Sequence, residues 1–208
     1  MGARSPSTVS GSSGLIPEAL AKQRAIMMCS RILLTAAGLQ NPRMAAAFLR
    51  LLGKPAAEAR LLFVPTAATS AEALRMLAKC IDELYRVGFG PDQVVVYTLD
   101  RGLTYAELAT FDVVYFAGGS AEYLLRRVKE AAFDPTLSAF VNAGGFFMGV
   151  SAGSVLAADL GIVNCRFTGI HCPDGSPNGP IDLGIHPDIR LTDNQALVVD
   201  ENGAAVFE

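Results

Sequence analysis

Charge is scarce in this chain: only 18% of its 208 residues are Asp, Glu, Lys or Arg, and the formal net charge is -3. Its few Lys and Arg residues are scattered rather than gathered on one face, which argues against nucleic acid as a partner. No segment reaches the uninterrupted apolar length of a membrane span, so no membrane partner is expected either. The four cysteines, Cys29, Cys80, Cys165 and Cys172, include no Cys-x-x-Cys pair. They read as free thiols in a reducing compartment, which places the protein in the cytoplasm. Cys165, His171 and Cys172 lie close in sequence, but lacking a paired spacing and a fourth ligand they do not make a zinc site, and no metal is expected. Histidine is the scarcest functional residue, with only His171 and His186 to choose from.

Apolar residues, by contrast, make up 51% of the chain, enough to bury a substantial core in one domain over residues 27–208. Residues 1–26 are rich in Ser, Gly and Ala and read as a disordered extension, an upstream start or a leftover from cloning, with organelle targeting as the second reading. High apolar content with so few charges also makes a homodimer an expectation.

From Arg31 onward, short apolar runs alternate with amphipathic stretches. Strands are predicted at 31–35, 60–65, 94–97, 113–116 and just before Ser151, and helices at 41–52, 70–85, around 105–108, 122–129 and 135–141. Continuous apolar strands separated by helices predict an α/β fold, a three-layer sandwich with a mostly parallel central sheet and helices on both faces. Residues 169–184, dominated by Gly, Pro, Asn and Asp, read as a long surface loop. The segment 180–185 reads as a strand edge, and 196–207 as a hairpin turning at Asn202-Gly203.

The segment Gly149-Val150-Ser151-Ala152-Gly153 is a Gly-x-Ser-x-Gly motif between a buried strand and a helix. Such a nucleophile elbow holds a serine hydroxyl above the sheet's carboxyl edge, and side chains at Gly149 or Gly153 would collide around so tight a bend. Ser151 is therefore the candidate nucleophile. Phe116-Ala117-Gly118-Gly119-Ser120 ends another strand in a glycine pair. The N–H groups of Gly118 or Gly119, with that of Ala152, can form an oxyanion hole, and Ser120 is assigned to substrate binding. The same glycines also suit an ordinary strand-to-helix turn.

A base must take the serine proton, and imidazole suits this because it titrates near neutrality. His171 sits in the Gly/Pro-rich loop and reads as a surface residue, whereas His186 follows Ile185 at the strand edge and is the candidate base. Asp159, Asp174, Asp182 and Asp188 are all within reach as the orienting acid. Asp174 is preferred, lying between Ser151 and His186 in the chain.

Five segments together carry a resemblance: Leu33-Leu34-Thr35-Ala36-Ala37-Gly38, Phe63-Val64-Pro65-Thr66-Ala67-Ala68, Tyr115-Phe116-Ala117-Gly118-Gly119-Ser120, Gly149-Val150-Ser151-Ala152-Gly153-Ser154 and Leu191-Thr192-Asp193-Asn194-Gln195-Ala196-Leu197. In this order the chain resembles the dipeptidase E and cyanophycinase family of serine peptidases. The resemblance implies a fold related to class I glutamine amidotransferases (flavodoxin-like), Ser151 as nucleophile, and hydrolysis of small peptides, in the best-known members after an N-terminal aspartate. It implies no cofactor and no metal.

Two departures accompany it. The family carries its histidine in a hydrophobic-x-Pro-His motif, whereas this chain reads Ile185-His186-Pro187-Asp188, and a helical stretch normally found before the Thr-Asp-x-Gln-Ala strand is reduced to Ile189-Arg190-Leu191. His186, two positions away and on the same side of an extended strand, can replace the missing base. The resulting expectation is a serine peptidase acting on small peptides. The alternative is a relative that has lost its base and binds a ligand or partner. An α/β-hydrolase esterase shares the elbow but fits poorly, since too little chain follows Ser151 for the later strands of that fold.

Overall fold

The computed structural model describes residues 30–208. The expected extension at 1–26 and Cys29 lie outside the described residues. Each apolar run becomes a strand: β1 (Arg31–Thr35), β2 (Leu61–Val64), β3 (Val94–Val96), β4 (Val113–Phe116) and β5 (Phe146–Val150). These five pair in parallel in the order β3-β2-β4-β5-β1. Beyond β1 the sheet turns antiparallel through β9 (Ala196–Asp200), β10 (Gly203–Phe207) and β7 (Gly179–Ile181). The β9–β10 hairpin turns where the Asn-Gly pair predicted, with Gly203 at a positive φ of 116°.

Side chains alternate across this sheet and divide the core in two. Ile32, Leu34, Leu62, Val64, Val114, Phe116 and Phe147 face one apolar cluster, and Leu33, Leu61, Phe63, Val113, Tyr115, Phe146 and Met148 face the other. Over the second cluster lie α1 (Pro42–Leu52), through Met44, Phe48, Leu51 and Leu52, and α2 (Ala71–Arg86), through Cys80 and Leu84. The opposite face is covered by α3 (Tyr105–Leu108), α4 (Ala121–Glu130), α5 (Asp134–Asn142) and α6 (Ala152–Asp159). The result is a three-layer α/β sandwich around a mixed, mostly parallel sheet.

Helix boundaries follow local chemistry. Asn41 accepts the Arg43 N–H at 2.9 Å ahead of Pro42, and Gly53 closes α1 in the left-handed conformation. Ser70 accepts the Ala73 N–H at 3.1 Å and starts α2. Among the described residues, no helix is long and apolar enough to cross a membrane.

The segment read as a long loop carries more order than its composition suggests. β6 (Arg166–Ile170) runs into its start and pairs in parallel with β8 (Asp188–Leu191) as a separate two-stranded sheet, and β7 lies within it. The expected strand edge at 180–185 is corrected: the strand ends at Ile181, and Leu183–Ile185 is a turn of 3-10 helix capped by Asp182. His186 closes that turn in the left-handed conformation, at φ 52°.

Candidate active site

Parallel strands end on one edge of the sheet, and the carboxyl ends of β1, β4 and β5 meet there. Ser151 follows β5 directly at φ 50° and ψ -107°, a conformation that non-glycine residues adopt only where the surroundings enforce it. Its N–H donates to the Thr35 carbonyl at 2.9 Å, and the buried Ser154 hydroxyl lies 2.9 Å from that same oxygen. The end of β1 therefore holds both ends of the first turn of α6.

Both motif glycines are required by contact. A Cβ on Gly149 would lie 2.6 Å from the Gly153 carbonyl oxygen, and one on Gly153 would lie 2.5 Å from the Phe116 carbonyl oxygen. Gly149→Ala is accordingly expected to destabilise the fold by about 1–3 kcal/mol through overpacking against backbone, read as a lowered Tm. A Tm equal to that of the wild type would show that the elbow is looser than this geometry.

The glycine pair after β4 completes the floor. Gly118 has its Cα against the nucleophile, since a Cβ there would stand 3.1 Å from Ser151 Cβ. Gly119, at φ 141°, leaves no room for a side chain beside the Ala67 carbonyl, which also receives the Ser120 N–H at 2.8 Å. Among the described residues the N–H groups of Gly118, Gly119 and Ala152 donate to no backbone carbonyl, so all three are available to an oxyanion. Ser120, the expected substrate-binding residue, has its hydroxyl accepting the Tyr123 N–H at 3.3 Å as the N-cap of α4.

The structure brings His171 and Asp193 to Ser151, not His186 and Asp174. His171 Nε2 lies 3.2 Å from Ser151 Oγ, and its Nδ1 lies 2.6 Å from Asp193 Oδ1. A carboxylate can only accept, so Nδ1 carries the hydrogen and Nε2 is left to accept from the serine hydroxyl. The two-stranded sheet explains the placement. Ile170 and Leu191 are register partners at the carboxyl ends of β6 and β8, and the ladder continues with the Cys172 N–H donating to the Leu191 carbonyl at 3.1 Å. His171 thus leaves β6 beside the turn that carries Asp193.

His186, the expected base, is placed away from Ser151: its Nδ1 lies 2.9 Å from Asn164 Oδ1, at the amino ends of β6 and β8 rather than at the carboxyl ends where His171 stands. Asp174, the expected acid, forms an ion pair with Arg190 at 2.8 Å and helps hold the 172–178 segment onto β8. Asp188, which stands where the resemblance led one to expect histidine, is held by the guanidinium of Arg166 through contacts of 2.8 and 2.9 Å. Gln195, buried, completes this support, donating to the Ser176 carbonyl at 2.8 Å and accepting the Thr192 N–H at 3.3 Å. The signal for Asp193 lay in the Thr192-Asp193-Asn194-Gln195 run, and that for His171 in the half-apolar Phe167 and Ile170 before it.

Cys80, Cys165 and Cys172 are free thiols, and burial pushes Cys165 up to about 12. Both nitrogens of His171 are taken by Ser151 and Asp193. Among the described residues, no group of three or more His, Cys, Asp or Glu is arranged to hold a metal ion.

Ser151, His171 and Asp193 open into a cleft of about 430 Å3 that extends along α2 past Glu72, Met76 and Lys79. Lys79 is the one lysine or arginine among the described residues lining it.

Comparison with known proteins agrees with this architecture. Residues 32–166 match the model of peptidase family S51, a span that includes the elbow and the glycine pair and stops before His171 and Asp193. An uncharacterized peptidase of Listeria monocytogenes is 27% identical over 96 residues, covering 46% of this chain and 47% of that protein. The chain therefore spans about half the length of that curated relative. Among solved structures, a candidate peptidase E protein from Listeria monocytogenes EGD-e superposes with a TM-score of 0.67 at 16% identity, over 86% of this chain and 98% of that one. A peptidase from an acI-B1 Actinobacterium superposes at 0.60 with 19% identity, over 87% and 88% of the two chains.

Proposed function

We propose that this chain, which belongs to peptidase family S51, is a serine peptidase that hydrolyses small peptides with Ser151 as nucleophile, His171 as general base and Asp193 as the orienting acid. The observation that carries the reading is the continuous line from Ser151 Oγ to His171 Nε2 at 3.2 Å and from His171 Nδ1 to Asp193 at 2.6 Å. A hydroxyl presented at a strained elbow, a base within reach of its proton and an acid fixing the base's tautomer are the three parts of an activated nucleophile.

In the proposed reaction Ser151 Oγ attacks the peptide carbonyl carbon while His171 Nε2 accepts its proton. The carbonyl oxygen becomes an oxyanion facing the N–H groups of Ala152 and of Gly118 or Gly119. Collapse of the tetrahedral intermediate breaks the C–N bond, and His171 returns the proton to the leaving amine. Water, activated by the same imidazole, then releases the acyl group from Ser151.

The cleft has the size of an ordinary small-molecule pocket, which favours a peptide of few residues over a folded chain. Lys79, held at 2.6 Å by Gln40 Oε1, gives an acidic residue of such a peptide a partner, supporting a preference for an N-terminal Asp or Glu. Assay of the folded protein on dipeptides and aminoacyl p-nitroanilides beginning with Asp, Glu or a neutral residue tests both levels. The proposal expects hydrolysis, fastest with the acidic residues. No hydrolysis of any compound would overturn the peptidase reading, and equal rates across the panel would overturn the acidic preference alone.

A further inference from the structure

Glu83 is charged in type, 3% exposed, and placed on the inner side of α2 where the cleft wall meets the loop after β1. Its Oε2 accepts the Leu39 N–H at 2.8 Å and lies so close over Gly38 that a Cβ there would be 2.6 Å away. Its Oε1 has no hydrogen-bond partner among the described residues, and the nearest cation, Lys79 Nζ, is 3.9 Å off. Burial pushes the carboxyl above its usual range, against the lowering effects of the Leu39 N–H, Lys79 and Arg86. A side chain held at such cost needs a reason beyond filling space.

The reason lies one hydrogen bond further along. Gly38, pressed beneath Glu83 at φ 86°, donates its N–H to the buried Thr35 hydroxyl at 3.0 Å. The Thr35 carbonyl in turn receives the Ser151 N–H and lies against the Ser154 hydroxyl. A carboxylate on α2, the loop at 36–39, the last residue of β1 and the strained serine are therefore linked in sequence through buried polar contacts.

We propose that Glu83 is a positioning residue for the nucleophile, clamping the loop after β1 through the Leu39 N–H so that Thr35 holds Ser151 at its positive φ. The inference deepens the peptidase reading, since it assigns a supporting role at the same site, but the backbone relay it describes exists whatever the site cleaves. Loosening the clamp lets the Ser151 backbone relax toward an ordinary φ and carries Oγ away from His171, a displacement of the kind that costs turnover more than binding.

The test compares the wild type with Glu83→Ala, Glu83→Gln and Thr35→Val, the last removing the middle acceptor while leaving Glu83 and its charge in place. Amide hydrogen exchange is measured at Leu39, Gly38 and Ser151. In parallel, kcat and KM are normalised to the Ser151 sites that a fluorophosphonate labels. For Glu83→Ala the expected result is exchange at Leu39 faster by about tenfold or more, with faster exchange also at Gly38 and Ser151, and kcat per labelled site lowered about tenfold at little change in KM. Glu83→Gln, which keeps an oxygen for the Leu39 N–H, is expected to restore both. Thr35→Val is expected to loosen Gly38 and Ser151 and lower kcat without loosening Leu39.

Unchanged exchange at Ser151 in Glu83→Ala and Thr35→Val would overturn the relay, as would a loss in Glu83→Ala confined to KM. Should the wild type prove inactive on peptides, the exchange arm still decides the relay, so the two readings fail separately.

Discussion

Alanine at Ser151 or at His171 is expected to lower kcat/KM for small-peptide hydrolysis by about 10⁴- to 10⁶-fold, with the double variant no worse than either single one. The two groups act as a unit: a hydroxyl without its base is a poor nucleophile, and a base without the hydroxyl has no proton to move. What is expected to survive in each variant is the rate due to the proposed oxyanion donors, Ala152 with Gly118 or Gly119, and to binding in the cleft. His186→Ala, in contrast, is expected to stay within about twofold of the wild type, because its imidazole meets Asn164 rather than the serine. A loss of comparable size in His186→Ala, with His171→Ala unaffected, would return the role of base to His186.

Replacement of Asp193 by asparagine is expected to reduce kcat/KM by about 10³- to 10⁴-fold while leaving Tm almost unchanged. The side-chain amide would offer an N–H to His171 Nδ1, which favours the tautomer with the proton on Nε2. That nitrogen could then no longer accept from Ser151. Stability should be indifferent because the pair stands in solvent, with His171 and Asp193 side chains 50% and 58% exposed, and exposed pairs contribute little. Asp174 differs from Asp193 in its partner, which is Arg190 and not His171. Asp174→Ala removes an exposed pair with Arg190 and is expected to change kcat/KM by no more than about twofold. An Asp193→Asn variant with wild-type kcat/KM would show that the acid does not set the imidazole's tautomer.

The parallel half of the sheet was legible because its strands, such as Leu61–Val64 and Val113–Phe116, are buried on both faces and apolar throughout. The elbow was legible because backbone contact at Gly149 and Gly153 tolerates no other residue, and that requirement shows in the letters themselves. The second half of the site was not. In β6, Arg166 and Thr168 are exposed or partly so, and the strand is only half-buried, which gives no continuous apolar run. His171 follows it at a positive φ of 61° inside a stretch rich in Gly and Pro, where composition speaks for a loop. Proximity in the chain points instead to Asp174 and His186, which lie between His171 and Asp193 in sequence, yet their side chains meet Arg190 and Asn164 and not Ser151. What joins His171 to Asp193 is the parallel pairing of β6 with β8, a long-range contact that no local pattern announces.

Activation of Ser151 by His171, as proposed, is tested without any assumption about substrate by mass-spectrometric mapping of fluorophosphonate labelling. One covalent adduct on Ser151 is expected in the wild type, formed at a similar rate in His186→Ala and far more slowly in His171→Ala. Folded wild-type protein that forms no adduct at Ser151, or labelling undiminished in His171→Ala, would contradict it.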